Sequence, residues 1–208
     1  MTVKYSLDLS LKLNPLINRS CKACGLYLNQ LPVFEKTTNP QVFWVGLSAV
    51  QFNDDKKRLP LSPDTRTGTL IETIESPLSE KINFYKTNLV KCLPLNNGKI
   101  RYPSVQEMEK CYPNFVDELN ILKPSIVFLL GKQVSSFIMK KENIVDYNLS
   151  KSFKYKISSS KDIFFVPIHH PSYILIYKRK KVNKYIRSIQ LLVENYFNYQ
   201  TRLYNVAS

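Results

Sequence analysis

The sequence predicts an α/β fold: a three-layer α/β/α sandwich around a central, mainly parallel four-stranded sheet. Two observations support this prediction, namely short apolar runs that end at glycine or a polar residue, and helical segments between those runs. A continuous apolar run is typical of a strand whose two faces are both covered by helices. No repeat, low-complexity linker or domain boundary is visible, so residues 1–208 are expected to form one domain.

The apolar runs give the four strands in order. They cover residues 42–46, 82–88, 125–130 and 162–168. Ligands of open parallel sheets bind beyond the carboxyl ends of the strands. The residues expected at that edge are Gly46, Asn88, Gly131 and His170.

Capping signals and periodicity give the helices. Ser104 and Glu107 have the spacing of a capping box, so a helix is expected from this serine to about Leu122, before Lys123-Pro124. The other segments are short helices over 70–75 and 132–140, a final helix over 182–199, a loop over 93–103, and a surface loop or hairpin over 141–161.

Charge narrows the class of partner. The chain has 30 Lys and Arg against 16 Asp and Glu, a net charge of +14. Such a surplus points to a polyanion, most often nucleic acid, although a basic surface that only aids solubility gives the same count. No segment approaches the ~20 apolar residues of a membrane span, and no export signal is visible over residues 1–13. A cytoplasmic protein with reduced thiols and no membrane partner is expected.

The four cysteines are Cys21, Cys24, Cys92 and Cys111. The first two form a Cys-x-x-Cys pair, whereas the other two stand alone. Four thiolates can hold an iron–sulfur cluster or a structural zinc ion. Zinc ribbons usually use two close pairs, which fits this spacing poorly, and a disulfide or plain buried thiols stay open as further interpretations.

Several motifs occur together in a recognisable order. They are Cys21-Lys22-Ala23-Cys24, Val45-Gly46, the run from Thr87 to Pro94, Cys111 followed by Pro113, Lys123-Pro124-Ser125, Leu130-Gly131 and His170-Pro171-Ser172-Tyr173. Together they resemble the uracil-DNA glycosylase superfamily, most closely its iron–sulfur branch, family 4. The resemblance runs from about residue 18 to about residue 177, and the number and order of the cysteines make it specific.

The resemblance implies a [4Fe-4S] cluster held by the four cysteines, with a structural role near the DNA. It implies a DNA glycosylase that flips out uracil or another altered base and hydrolyses its N-glycosidic bond, leaving an abasic site in single- or double-stranded DNA. Such enzymes commonly act as monomers, and no obligate protein partner is evident.

By the same resemblance, His170 donates a hydrogen bond to the departing base and Asn88 reads the base edge. A donor aimed at developing charge stabilises it, and an amide, with one acceptor and two donors, suits a base taken out of the stack. His169 is expected to be structural. The alternatives without a functional role are that His170 forms a hydrogen bond within the core and that Asn88 caps the end of a strand.

Two departures from the family pattern concern the base pocket. The family's first strand ends in Gly-Glu-Ala-Pro-Gly, whereas this chain has Gly46 followed by Leu-Ser-Ala-Val. Pro60-Leu61 aligns with a Pro-Phe pair whose ring stacks on the base, so Gly46 backbone and Leu61 are expected to contact the base. Ser48 and Asp54 are the candidates for water activation, although Asp54 could equally be a solvated loop acid.

A basic cluster follows the histidine motif. Basic side chains beside apolar and aromatic ones suit phosphate contacts and insertion into stacked bases. The DNA-binding candidates are Ser172, Tyr173, Lys178, Arg179, Lys180 and Lys181. Part of this cluster could instead be only the polar start of the last helix.

Three alternatives stay open beside uracil excision. The divergent first motif allows a glycosylase for another base, such as hypoxanthine or a modified cytosine from viral DNA. Loss of the water-activating group would leave a non-catalytic iron–sulfur DNA-binding protein of the same fold. Zinc in place of iron would make the chain a zinc-stabilised nucleic-acid-binding module.

Overall fold

A computed structural model describes residues 21–207 except 36, 38, 53–58, 146, 148, 150, 151, 154, 156, 157 and 161, with the backbone alone for 200–207. The strands are β1 (Val42–Ser48), β2 (Phe84–Val90), β3 (Leu95–Asn96), β4 (Lys99–Ile100), β5 (Ile126–Leu130), β6 (Ser158–Ser160) and β7 (Ile163–Ile168). The α-helices are α1 (Arg66–Glu75), α2 (Val105–Leu122), α3 (Lys132–Lys141), α4 (Pro171–Tyr177) and α5 (Val182–Ala207). Short 3-10 helices cover Gly25–Leu28 and Arg179–Lys181.

The main sheet has the strand order β2-β1-β5-β7-β6. The first four strands in this order run parallel, and β6 pairs antiparallel with β7 at the edge. The four predicted strands are confirmed, with ends shifted by two residues or fewer. The expected count of four was wrong by one strand, because β6 consists of three serines. An edge strand of this kind carries no apolar alternation, so only its pairing with β7 reveals it.

Alternation along β1 shows why both faces of the sheet are buried. Val42 and Trp44 pack in a core with α1, α4 and α5, whereas Phe43 and Val45 pack in a second core with α2 and α3. Successive strand residues face opposite sides of a sheet, so each strand contributes to both cores. The predicted three-layer α/β/α arrangement is confirmed.

Helix α2 begins at the predicted capping box. The Ser104 hydroxyl accepts a hydrogen bond from the Glu107 N–H at 3.2 Å, and the Glu107 carboxylate accepts one from the Ser104 N–H at 2.7 Å. The helix carries Cys111 into the core and ends at Leu122, before Lys123 with a φ of 46°.

Two short elements lie where the sequence analysis expects none. Strands β3 and β4 form a hairpin over part of the expected loop, and their two-residue turn is Asn97-Gly98, with φ angles of 50° and 74°. Two successive positive φ angles define a type I′ turn, for which Asn-Gly is the preferred pair. Helix α4 begins at Pro171, directly after His170. In the described part of the chain, no helix is both long and apolar enough to cross a bilayer.

A buried ion pair ties β2 to α2. Lys91 is 1% exposed and Glu118 is fully buried, and the Lys91 ammonium donates to Glu118 and, at 2.6 Å, to the Thr87 hydroxyl. The hydroxyls of Tyr85 and Thr87 donate to the same carboxylate at 2.8 and 2.9 Å. Since each charge is bonded by the other and by neutral hydroxyls, neither is left uncompensated in the core.

Removing one partner of this pair should therefore be costly. We expect Lys91→Met to lower the free energy of unfolding by roughly 3–5 kcal/mol, because Glu118 would keep a buried charge without a counterion. Urea unfolding followed by circular dichroism measures the change. Arg187→Met is the matched control, since the Arg187–Glu194 pair is largely exposed and should contribute less than about 1 kcal/mol.

The double variant Lys91→Met with Glu118→Leu should recover part of the lost stability, because it removes both charges but leaves the Tyr85 and Thr87 hydroxyls without their acceptor. A Lys91→Met protein as stable as the Arg187→Met control would contradict this account of the pair.

Candidate active site and cysteine centre

A cavity of about 710 Å³ opens at the carboxyl edge of the sheet. Five of the predicted site residues line it, although they come from four separate stretches of the sequence: Gly46, Ser48, Leu61, Asn88 and His170. The edge position agrees with the general location of ligand sites in open parallel sheets.

Asn88 and Gly46 are opposite each other in neighbouring strands. Their Cα atoms pair in the register of β1 with β2, and Asn88 is 4% exposed. A Cβ atom on residue 46 would lie 2.3 Å from Asn88 Oδ1, so only glycine leaves room for this amide. The Asn88 side chain makes no hydrogen bond to another described residue, and its donors and acceptor are therefore available to a ligand in the cavity.

His170 is the residue that precedes α4, and its ring bonds the start of that helix. The Ser172 N–H donates to His170 Nδ1 at 3.2 Å, and the Ser172 hydroxyl lies 2.8 Å from the same nitrogen. Because a backbone N–H only donates, Nδ1 must accept, which assigns the ring proton to Nε2. Burial lowers the pKa of His170 from its ordinary value, which favours this neutral form at pH 7.

Gly131 gives His170 its position. Its φ of 87° belongs to the left-handed region, and a Cβ atom there would lie 3.2 Å from His170 Cβ. His169, the neighbouring histidine, lies in an aromatic group: its ring stacks on Tyr173 at 5.5 Å, and its Nδ1 is 3.3 Å from the Tyr155 hydroxyl. These contacts agree with the structural part expected for His169.

Leu61 contributes to the cavity wall from a strained backbone. Its φ is 51°, which is uncommon for a residue other than glycine, asparagine or aspartate. Helix α1 packs closely behind it, since a Cβ atom on Gly68 would lie 2.0 Å from the Ser62 carbonyl oxygen. The wall therefore depends on a glycine in the first turn of α1.

Of the two water-activation candidates, Ser48 lines the cavity, whereas Asp54 lies outside the described residues. Phe52 and Leu59, on either side of the segment 53–58, both line the cavity. No carboxylate is among the described residues of the lining.

All four cysteines line one small second cavity. Cys92 and Cys111 are buried, and Cys21 and Cys24 are half-buried. Burial, followed by the three neighbouring thiols, raises the pKa of Cys92 to about 12. The sequence predicts that the four cysteines lie together. Their common cavity brings together the N-terminal segment, the end of β2 and helix α2.

Amide groups point at the sulfur atoms of this centre. The Lys91 N–H donates to Cys111 Sγ at 3.4 Å, and Asn114 Nδ2 lies 3.8 Å from both Cys111 Sγ and Cys21 Sγ. Hydrogen bonds to sulfur are a usual means of tuning thiolate-held clusters. No group of three or more His, Cys, Asp or Glu among the described residues is arranged to hold a single metal ion.

The predicted DNA-binding residues divide into two groups. Ser172 is half-buried and bonded to His170, whereas Tyr173 is exposed on α4, with its ring 5.3 Å from that of Tyr177. The four cations Lys178, Arg179, Lys180 and Lys181 are all exposed between α4 and α5. They form a basic surface that continues from the helix next to His170.

Further residues of the cavity were not predicted from the sequence, among them Phe52, Ile100, Arg101 and Tyr102. The last three follow or end the β3–β4 hairpin. The Asn97-Gly98 pair was the available signal, because it predicts a hairpin turn where a plain loop was expected.

Comparisons with known proteins identify the family and agree with this fold. The uracil DNA glycosylase superfamily model matches residues 29–191. The type-4 uracil-DNA glycosylase of Sulfurisphaera tokodaii is 30% identical over 161 residues, which is 74% of this chain and 70% of that protein. Those of Archaeoglobus fulgidus and Thermotoga maritima are each 27% identical, over 75% and 76% of this chain and 78% and 79% of theirs.

A solved structure shows the same fold. The crystal structure of SMUG2 from Pedobacter heparinus matches with a TM-score of 0.56 and 15% identity, over 79% of each chain. Sheet, cavity and sequence matches together define an enzyme of the DNA glycosylase class, a hydrolase of N-glycosidic bonds. The chain belongs to the uracil DNA glycosylase superfamily, in its type-4 branch.

The geometry at His170 predicts its protonation state. We expect a neutral ring at pH 7 with the proton on Nε2, because Ser172 donates to Nδ1, and a pKa below 6.5, because burial disfavours the imidazolium. Two-dimensional ¹⁵N NMR of the imidazoles over pH 5–8 measures both. The chain has two histidines, so a His169→Asn variant assigns the signals. A proton on Nδ1, or a pKa above 6.5, would contradict the assignment.

Proposed function

We propose that the protein is a uracil-DNA glycosylase that extrudes a nucleotide from DNA, hydrolyses the N-glycosidic bond and leaves an abasic site. One juxtaposition carries the proposal: an unpartnered Asn88 amide and a neutral His170 ring line the same cavity. The names of the type-4 relatives support uracil as the base. Extrusion costs a few kcal/mol, which contacts of the extruded base in the cavity offset.

Asn88 is proposed to read the extruded base. Uracil presents a carbonyl acceptor and an N–H donor side by side, and a carboxamide presents the complementary donor and acceptor. Two such hydrogen bonds in a buried site discriminate strongly against a base that leaves them unpaired. Gly46 allows this recognition because it leaves the space that the Asn88 side chain occupies.

His170 is proposed to stabilise the departing base. As the bond from C1′ to the base nitrogen breaks, its electron pair moves onto the base and negative charge develops on the carbonyl oxygens of the base. A hydrogen bond from Nε2–H to such an oxygen becomes stronger as the charge grows. One donor of this kind typically raises the rate by about 10²–10³-fold. Because Nδ1 accepts a hydrogen bond from the Ser172 N–H, the neutral ring carries its proton on Nε2 and can donate it to this oxygen.

Water then completes the hydrolysis. The water oxygen bonds to C1′, where the sugar has cation character, and a water proton passes to a general base of the protein. We propose Asp54 as the group that accepts the proton or orients the water, with Ser48 holding the water from the cavity wall. Both are hypotheses from the sequence, supported by Ser48 in the lining of the cavity and by the place of Asp54 in the sequence between the lining residues Phe52 and Leu59.

Cys21, Cys24, Cys92 and Cys111 are proposed to hold a [4Fe-4S] cluster. Supporting this are the shared cavity between the four thiols and the amide groups directed at their sulfur atoms. When bound, the cluster would join three chain segments covalently through its iron–sulfur bonds. Its proposed role is to hold the end of β2, and with it Asn88, in place.

DNA is proposed to lie along the basic surface beside the cavity. The four cations at 178–181 would contact phosphates, and Tyr173 would contact the strand near the extruded nucleotide. Ser172 would act mainly through His170, to which it is bonded.

A glycosylase for a different altered base is the second candidate. It is favoured by the cavity wall, where Leu47 and Ser48 follow Gly46 and an aliphatic Leu61 takes the place of a stacking ring. Hypoxanthine and modified cytosine are the bases to compare with uracil.

A panel of oligonucleotides, each with one altered base in single- or double-stranded form, tests the function. We expect base release from uracil-containing DNA, reduced by about 10²–10³-fold in His170→Ala because the donor to the leaving base is lost. Gly46→Ala should also lose most activity, since its methyl group would displace Asn88. Gly25→Ala is the matched control, because a Cβ atom there meets no other atom within 4 Å.

Single-turnover rates of base release make the comparison. Release of another base with uracil untouched would favour the second candidate. DNA binding without release of any base would instead indicate a non-catalytic protein, and full activity of His170→Ala would contradict the proposed mechanism.

Metal analysis tests the cluster. Protein purified without oxygen should contain about four iron and four acid-labile sulfide per chain, with visible absorbance near 400 nm. Cys111→Ala should lose both, whereas Gln106→Ala, an exposed change on the same helix that does not line the cysteine cavity, should retain them. Stoichiometric zinc without sulfide would show that the four thiols hold a zinc ion.

A further inference from the structure

Exposed apolar side chains surround part of the mouth of the active-site cavity. Val50 and Leu59 are 45% and 40% exposed, Ile100 is 56% exposed and Tyr102 is 73% exposed, and all four line the cavity. Contiguous apolar surface of this kind marks a binding site more often than a solvated face. We call these four residues the rim.

The backbone that carries Tyr102 is held firmly. Arg101 forms a two-pronged pair with Glu107, at 2.8 and 2.6 Å, and donates to the carbonyl oxygens of Leu95 and Tyr102 at 3.1 and 2.9 Å. The Arg101 hydrogen bonds lower the pKa of Glu107 to about 2. Since Glu107 also belongs to the capping box of α2, the hairpin and this helix hold the segment together.

The ring of Tyr102, by contrast, is exposed and has no partner among the described residues. It makes no ring contact or hydrogen bond with any other residue in the described part of the chain. An exposed aromatic ring on a fixed backbone loses little entropy on binding and can stack on a base.

The covalent continuity of the DNA strand determines which nucleotides contact the rim. A nucleotide whose base enters the cavity beside Asn88 and His170 remains joined to a neighbour on each side. The strand must therefore leave the cavity across its mouth, where the rim lies. Aromatic side chains bind unpaired bases through stacking, in a way that tolerates any base.

We infer that Tyr102 is a stacking platform for the nucleobase next to the extruded one, with Ile100 packing beside it. This inference rests on the proposed function. It adds a DNA contact from the β3–β4 hairpin, independent of the basic surface that follows α4.

A double-mutant cycle between protein and DNA tests the platform. The DNA is a single-stranded oligonucleotide whose target is 2′-fluoro-deoxyuridine, which the electron-withdrawing fluorine protects from hydrolysis. In two further oligonucleotides, a tetrahydrofuran abasic residue replaces the base on the 5′ or the 3′ side of the target. Fluorescence anisotropy gives the Kd of each for wild type, Tyr102→Ala, Tyr102→Phe and Tyr199→Ala.

Tyr102→Ala should weaken binding of the complete oligonucleotide about tenfold, and Tyr102→Phe less than twofold, because the ring is kept. Removing one neighbouring base should weaken wild type by a similar factor and leave Tyr102→Ala unchanged. Tyr199→Ala is the control, since this tyrosine is also largely exposed, at 62%, but lies on α5.

If Tyr102→Ala and the abasic replacement have additive effects on binding, for the 5′ and for the 3′ neighbour alike, the platform is overturned while the proposed function stays intact. Equal loss in Tyr102→Phe would likewise overturn stacking, and would assign the contact to the hydroxyl. Failure of the wild-type protein to bind the complete oligonucleotide would overturn the proposed function and the platform together.

Discussion

The buried ion pair between Lys91 and Glu118 fixes the stretch of chain on which both candidate centres depend. Thr87 and Lys91 bond the same carboxylate, and between them Asn88 lies at the cavity. The next residue after Lys91 is Cys92, in the cysteine centre. A shift of this stretch would move the base-reading amide and a cluster ligand together. Because a buried carboxylate cannot easily exchange its partners for water, the pair resists such a shift.

This arrangement suggests what the proposed cluster would do for the site without taking part in the reaction. The cysteines lie on three segments, and two of them adjoin the network of Lys91 through the N–H to Cys111 Sγ and the peptide link to Cys92. Iron–sulfur bonds at this point would reinforce what the ion pair begins. The stability of the site, rather than its chemistry, would then depend on the cluster.

At the other side of the cavity, a helix start sets the chemistry of His170. The N–H of Ser172 is one of the groups that a helix leaves without an internal partner, and the imidazole satisfies it. That bond fixes which ring nitrogen keeps the proton. Gly46 and Gly131 lack a side chain and so leave room for the two key residues. A methyl group on Gly46 would press on Asn88, and one on Gly131 would press on His170.

The main elements could be derived from the sequence because their signals are local. Apolar runs predicted the four parallel strands, a capping box predicted the start of α2, and the spacing of Cys21 with Cys24 predicted half of the cysteine centre. The hairpin beneath Tyr102 also had a local signal, the Asn97-Gly98 pair, but its bearing on the cavity did not follow from it. Strand β6 had none, because an edge strand of serines pairs without burying apolar side chains.

By itself, then, the amino-acid order predicted the candidate site residues and most of the longer helices and strands, since propensity, capping and periodicity act over a few neighbours. Tertiary structure alone decided that Lys91 would be a buried counterion rather than another surface cation, that Tyr102 would stand at the mouth of the cavity, and that His170 would keep its proton on Nε2. Each of these depends on contacts with side chains or backbone groups whose positions only the packed chain fixes.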